Sequence, residues 1–381
     1  MIAVICEFNP FHNGHKYIIE RVKALTGEAV LAIMSGSFTQ RGEVAVCSKF
    51  ERAETALENG ADLVAELPTV YAVARADRFA GGGVRIAQAF SDVHALAFGC
   101  ETDDLTVLKA AADALKSPEV NALVAAGMKS GEVYPRAFQN AVEAVCGKEV
   151  GAALASPNNI LAVEYLRALS GGKVKPMPVR RVGAAHDSAE YSGGFASASM
   201  LRGMLRAGKS PEAFMPSVPR EITRPELLER AVLMKLRSMT AADFAVLPEV
   251  GEGLENRLFD AVRKNNSVGE IIDAVKTKRY TRARLRRVIA CAVLDITEEL
   301  QARRASYCRV LGMTDSGAGY LKNCGFRVVT SVAKTLGFDT ENADFLRRDI
   351  LATDLAALAY ERVRPCAQDY LTKIISKNSA K

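Results

Sequence analysis

Two hydrophobic periods alternate along the first half of the chain. Ala3-Val4-Ile5-Cys6 is a short apolar run bounded by polar residues, and His15 to Lys23 then carries apolar side chains at Ile18, Ile19 and Val22, the spacing of one helix face. This reads as strand, loop, helix. The order repeats with Val30 to Met34, the polar loop Ser35 to Glu43, and a helix Ser48 to Asn59 closed by Gly60. Leu63 to Leu67 is a third strand ending at Pro68, Phe79 to Phe90 a third long helix, and Ala95 to Phe98 a fourth strand running into Gly99. Strands alternating with helices predict an α/β fold, a Rossmann-like doubly wound parallel sheet. Ligands of such sheets bind beyond the strand C-termini, where these polar loops fall.

After Gly99 the pattern turns helical, over Asp104 to Lys116, Asn121 to Ser130 and Ala137 to Val145. A loop, Ser156-Pro157-Asn158-Asn159, precedes a helix Ile160 to Leu169 and a strand Lys175 to Val179. A helix beginning near Ser197 completes a first domain, residues 1–210. The Pro-rich stretch Pro211 to Pro225 reads as a connection, and residues 211–381 as a mainly α-helical second domain.

The length of 381 residues suits two domains, and 49% hydrophobic with 25% charged residues excludes general disorder. No apolar run approaches the roughly 20 residues of a membrane-spanning helix, and Ile2 to Cys6 is too short for a signal peptide. A cytoplasmic location without membrane attachment is expected. The eight cysteines show no CxxC or Cys/His spacing, so they are expected to be reduced, mostly buried thiols rather than metal ligands. The net charge of +6 is unevenly spread: Lys276 to Arg287 holds seven basic residues and no acidic one. Such a cluster suits an anionic polymer, since each phosphate contact releases counterions. A solvated helix face is the other reading of that run.

The stretch with the most chemistry is Glu7-Phe8-Asn9-Pro10-Phe11-His12-Asn13-Gly14-His15, between the first strand and the first helix. Backbone N–H groups and the helix dipole favour phosphate there. Two imidazoles one turn apart can donate to triphosphate oxygens and stabilise charge as pyrophosphate leaves. Gly14, lacking a Cβ, would let a nucleotide approach the backbone. Half of the chain's four histidines lie in this one motif, which favours a site over two chance surface histidines.

These residues resemble the HxGH nucleotidyltransferase-like superfamily and, within it, the bacterial tRNA(Met) cytidine acetate ligase family. The resemblance extends through Met34-Ser35-Gly36-Ser37-Phe38-Thr39-Gln40-Arg41-Gly42-Glu43, Gly60 to Pro68, Phe98-Gly99, Ser156 to Leu161 and Ala196-Ser197-Ala198-Ser199, and Lys276 to Thr281 is similar to the family's C-terminal signature. It implies a sheet of the HUP/nucleotidyltransferase type, ATP and Mg²⁺ as cofactors, acetate as small-molecule substrate, and elongator tRNA(Met) as partner, with no obligate protein partner. Acetate would be activated as acetyl-adenylate and the acetyl group passed to N4 of the wobble cytidine. Carried over by motif, His12 and His15 are the catalytic residues. The resemblance places the nucleotide against Ile5, Cys6, Glu7, Phe8, Asn9, Pro10, Phe11, His12, Asn13, Gly14, His15, Gly99, Asn158, Asn159 and Arg181, with Arg180 as the alternative to Arg181.

Each of the outlying positions has a physical rationale. Gly99 can make room for adenine or ribose, though a plain strand-ending turn explains it equally. An asparagine donates and accepts at once, while one of Asn158 and Asn159 is also a natural N-cap for the next helix. An arginine can clamp two phosphate oxygens. The segment Val182 to Asp187 departs from the family pattern, one residue short and without a tyrosine before His186. Ser197, Ser199 and Arg202 resemble a second phosphate-binding motif or, equally, a helix cap. For the tRNA body the basic segment offers Lys278, Arg279, Tyr280, Arg282 and Arg286, with Tyr280 available to stack on a base. Two rivals share these features: an adenylyltransferase acting on a phosphorylated cofactor precursor, and an RNA-binding protein with a vestigial nucleotide site.

Overall fold

A computed structural model describes residues 1–181, 194–337 and 341–378. Five strands from the first half pair in parallel: β1 (Ile2–Cys6), β2 (Val30–Ser35), β3 (Leu63–Leu67), β4 (Ala95–Cys100) and β5 (Lys175–Arg180). Their order across the sheet is β5-β4-β1-β2-β3, with Ile2 against Val30 and against Ala95. The chain moves outward one way from β1 through β3 and then the other way through β4 and β5. The reversal lies between β1 and β4, so their C-terminal ends diverge into a crevice.

Strands β1 to β4 read as continuous apolar runs because both faces are covered. Every residue of β1, β2 and β3 is buried. Ala3 and Ile5 enter one core, while Ile2, Val4 and Cys6 enter the opposite one. Helix α1 (Asn13–Thr26) covers the second face with Ile19 and Val22, and Gly27 closes it in the left-handed conformation (φ 67°), donating to Lys23 O. Helices α2 (Lys49–Glu58), α3 (Thr69–Ala72) and α4 (Ala76–Ala89) complete the crossovers.

The second half departs from the expected helical domain. Helices do fill most of residues 229–302, and Leu233, Leu258, Ile271 and Leu285 join the same apolar cluster as the sheet. The chain then returns to the sheet as β6 (Tyr307–Thr314), antiparallel to β3, with β7 (Arg327–Val329) and β8 (Ile375–Lys377) parallel to β6. The expected boundary at residue 210 therefore does not separate the sheet from the rest. Buried charge secures the added strands. Lys49 Nζ lies 2.7 Å from Glu66 Oε1 and 2.9 Å from Asp369 Oδ1, and Arg309 bonds Asp369 at 2.6 Å and approaches Glu66 at 3.2 Å. A charge taken out of water is tolerated only when answered in this way.

Candidate active site

The crevice between β1 and β4 opens into a cleft continuous with solvent, lined by the turn after β1, residues of the loop Thr39–Glu43, Phe98, Gly99, Asn158, Tyr165, Arg181 and Arg202. The turn after β1 is held from behind by Arg52, which is fully buried. Its guanidinium donates to Glu7 O (2.7 Å), Ser35 O (3.0 Å), Cys47 O (3.3 Å) and Gly36 O, tying the exits of β1 and β2 to one cation. Phe8, at φ 48°, turns the backbone, and Val46 N donates to Asn9 Oδ1 at 2.7 Å.

The histidines form the first turn of α1. His12 is the N-cap: its Nδ1 accepts from Gly14 N at 3.0 Å, and its own N–H donates to His15 Nδ1 at 3.2 Å. The rings stack with centroids 3.8 Å apart, and Phe8 and Phe11 pack around His15 at 5.0 and 5.7 Å. With its Nδ1 accepting from His12 N, a neutral His15 ring carries its proton on Nε2. Burial, then the charges of His12 and Arg181, hold the His15 pKa well below its usual value, so its ring is neutral near pH 7. The site thus offers a neutral His15 ring, fixed by its Nδ1, at the positive end of a helix dipole.

Gly14 makes room within the turn itself. A Cβ there would sit 2.9 Å from His12 Cε1, so the glycine makes room for the imidazole. Gly99 likewise leaves space for Ile18 (3.1 Å) and Arg181 (3.3 Å).

Of the expected nucleotide contacts, Ile5, Cys6, Glu7, Phe8, Asn9, His12, His15, Gly99, Asn158 and Arg181 line the cleft, whereas Pro10, Phe11, Asn13, Gly14 and Asn159 do not. Phe11 is buried beneath His15. Asn13 Nδ2 donates to Gly194 O (3.0 Å) and Ala213 O (3.2 Å), so it braces the chain. Asn159, 3% exposed, accepts from Glu101 N at 3.0 Å and fixes the exit of β4, while Asn158 faces the cleft with Nδ2 on Glu101 Oε1. The helix there begins at Pro157 with Ser156 as N-cap, so neither asparagine is the cap. Arg181 lines the cleft and Arg180, exposed, ends β5. The segment Val182 to Asp187 lies outside the described residues.

Sequence reasoning missed Phe79, Leu161 and Tyr165 on the cleft wall, because each reads as ordinary helical core. Ser197 caps the helix Ala198–Arg206, accepting from Met200 N at 3.1 Å, and Arg202 donates to Asn9 O at 2.8 Å and Ser199 Oγ at 3.1 Å. Arg202 therefore braces the turn after β1, with Ser199 holding its guanidinium.

The basic segment needs a correction. Tyr280 is 4% exposed, lying between Arg257 and Arg284 at 5.7 and 5.0 Å, so its ring cannot stack on a base. Arg279 pairs with Glu252 (2.8 Å), Arg282 with Asp273, Arg286 with Glu43 (2.9 Å) and Arg287 with Glu249 (2.6 Å). Lys278 is exposed with no ion pair among the described residues. The helix Arg282–Val293 also abuts the cleft rim. Gly42 (φ 72°) packs so closely that a Cβ would meet Arg286 O at 2.6 Å.

The fold and the two-histidine turn define a nucleotidyltransferase-like α/β protein, and a family model described as HIGH Nucleotidyl Transferase matches residues 1–370. Among curated proteins, the tRNA(Met) cytidine acetate ligases of Thermoanaerobacter sp. (strain X514) and Caldanaerobacter subterraneus subsp. tengcongensis are 32% and 33% identical to this chain, each alignment covering 98% of it and 99% of the relative. The chain belongs to the tRNA(Met) cytidine acetate ligase family and is an enzyme of the ligase class. Two crystal structures of Thermotoga maritima TmcAL have the same fold. The apo form gives a TM-score of 0.89 at 29% identity, and the form bound with alpha-thio ATP gives 0.88 at 28%, each covering 99% of both chains.

Proposed function

We propose that this chain activates acetate with ATP as acetyl-adenylate and transfers the acetyl group to N4 of the wobble cytidine of elongator tRNA(Met), acting in the cytoplasm. The observation that carries the reading is the stacked His12–His15 pair, both Nδ1 atoms held by backbone N–H groups at the N-terminus of α1 inside the cleft. The α-thio ATP complex of a structure of the same fold supports ATP as the ligand. The names of the relatives supply acetate and tRNA(Met).

The chemistry needs positioning and charge stabilisation more than a protein nucleophile. An acetate oxygen attacks the α-phosphorus, the bond to the β-phosphate oxygen breaks, and the leaving pyrophosphate gathers charge. The imidazole Nε2–H groups and the Arg181 guanidinium answer that charge. For Mg²⁺ the residues do not form a cage: among the described residues no group of three or more His, Cys, Asp or Glu could hold an ion. An ion would arrive with the triphosphate, as Mg²⁺ commonly does.

The contact of the helix Arg282–Val293 with Gly42 and Glu43 favours an RNA substrate over a small cofactor precursor. Phosphates held along that helix would lie beside the cleft rim, where Arg286 meets Gly42 and Glu43. A pyrophosphate-release assay separates the rivals. Release with ATP and acetate, and not with ATP and amino acids or phosphorylated cofactor precursors, is expected; release only with a phosphorylated precursor would favour the adenylyltransferase.

A further inference from the structure

Both small substrates of the proposed reaction are anions, yet Glu7 places a carboxylate in the cleft wall. One oxygen, Oε1, accepts from Gln40 N at 2.7 Å, which anchors the loop Thr39–Glu43. The second, Oε2, has no hydrogen bond or ion pair among the described residues. Arg52 and Arg202 lie near enough to act on this carboxylate electrostatically, but both spend their guanidinium donors on carbonyl or hydroxyl oxygens. A carboxylate so placed repels ATP and acetate, so it requires a use in a later step.

The second half-reaction supplies one. The exocyclic amine of cytidine is a weak nucleophile whose lone pair is delocalised into the ring, and it must lose a proton as it is acylated. The other groups on the cleft wall are poorly suited to take it. His15 Nδ1 and His12 Nδ1 each accept a backbone N–H. Cys6 donates to Ile33 O, and burial pushes both its thiol and the Tyr165 phenol well above their usual pKa, which keeps them protonated. Glu43 is engaged by Arg286 at 2.9 Å.

We propose that Glu7 is the catalytic base of acetyl transfer, its free carboxylate oxygen receiving the proton from the attacking amine of the cytidine. This assignment rests on the function proposed above. N4 bonds to the acetyl carbonyl carbon, the bond from that carbon to the AMP phosphate oxygen breaks with its electron pair leaving on AMP, and the N4 proton passes to Oε2. Glu7 then returns it to water.

The test compares wild type with Glu7→Gln and Glu7→Ala in two assays. One follows acetyl-hydroxamate made from ATP, acetate and hydroxylamine without tRNA, since hydroxylamine needs no base. The other follows single-turnover acetyl transfer to tRNA. Glu7→Gln keeps an oxygen for Gln40 N, so transfer should fall by about 100-fold or more and by at least about 30-fold more than hydroxamate formation does. Glu7→Ala should lose the loop anchor as well and lower both. Transfer by Glu7→Gln within about tenfold of wild type would overturn the assignment. An equal fall in both of its assays would do so too, because Glu7 would then act on ATP or the loop. A wild-type enzyme that makes hydroxamate but never N4-acetylcytidine would defeat the proposed function itself, and the assignment with it.

Discussion

The turn after β1 and the basic segment near residue 280 both drew the eye in the sequence, and they behave differently in the fold. At the turn, His12, Gly14 and His15 fix one another: the glycine clears space for one ring, and backbone N–H groups orient both. The two hydrogen bonds that orient the rings span no more than three residues, so local sequence specifies their mutual geometry. In the basic segment the partners come from afar. Glu43, Glu249, Glu252 and Asp273 pair with four of its arginines, and Tyr280 folds inward. A charge run names neither its partners nor its exposure, whereas a cap box carries its own.

The largest expected effect sharpens the first half of that contrast. His15→Ala should slow acetate-dependent pyrophosphate release by about 10²–10³-fold, the loss expected when one preorganised donor is removed. Gly14→Ala tests whether the glycine serves the histidine or the nucleotide. Its Cβ would force the His12 ring aside, and a displacement of that kind can cost about 100-fold in turnover. A structure of that variant showing an unmoved His12 would break the local account.

The second half is tested by salt dependence. Lys278→Gln combined with Arg279→Gln should weaken tRNA binding and lower the slope of log affinity against log salt by up to about 2, because exposed ion pairs exchange readily with phosphate. An unchanged slope would remove this segment from the interface.

A smaller effect appears in stability against pH. The His15 pKa is held down in the fold, so the unfolded chain binds more protons below its ordinary value of 6.5. Stability contributed by neutral His15 is present above that value and lost as pH falls, at up to about 1.4 kcal/mol per pH unit. Denaturant titrations from pH 7 to pH 5 should show this slope in wild type and its loss in His15→Ala. Smallest of all is Tyr280→Phe. Its hydroxyl makes one 3.4 Å contact to Glu252 O, so stability should change by less than about 1 kcal/mol and tRNA affinity not at all.

The first four parallel strands were legible because burial on both faces leaves unbroken apolar runs, and Leu63–Leu67 was bounded correctly even with Glu66 inside it. β6 was not legible. Its centre carries Arg309, which reads as solvent-facing until Lys49, Glu66 and Asp369 are seen around it. The cleft shows the same division. Gly99 and Arg181 were visible at strand ends, whereas Tyr165 and Phe79 are helix residues whose apolar spacing does not reveal that one edge faces a ligand. Asn13 and Asn159 were legible as polar residues near the site but not as braces, since their partners Gly194, Ala213 and Glu101 are distant in sequence.

The measurement that bears most directly on the whole reading is incubation of the protein with ATP, Mg²⁺, radiolabelled acetate and total bacterial tRNA, followed by nucleoside analysis. Label in N4-acetylcytidine that disappears in His15→Ala is the predicted result. ATP bound but no label in that nucleoside would contradict it and turn attention to a cofactor adenylyltransferase.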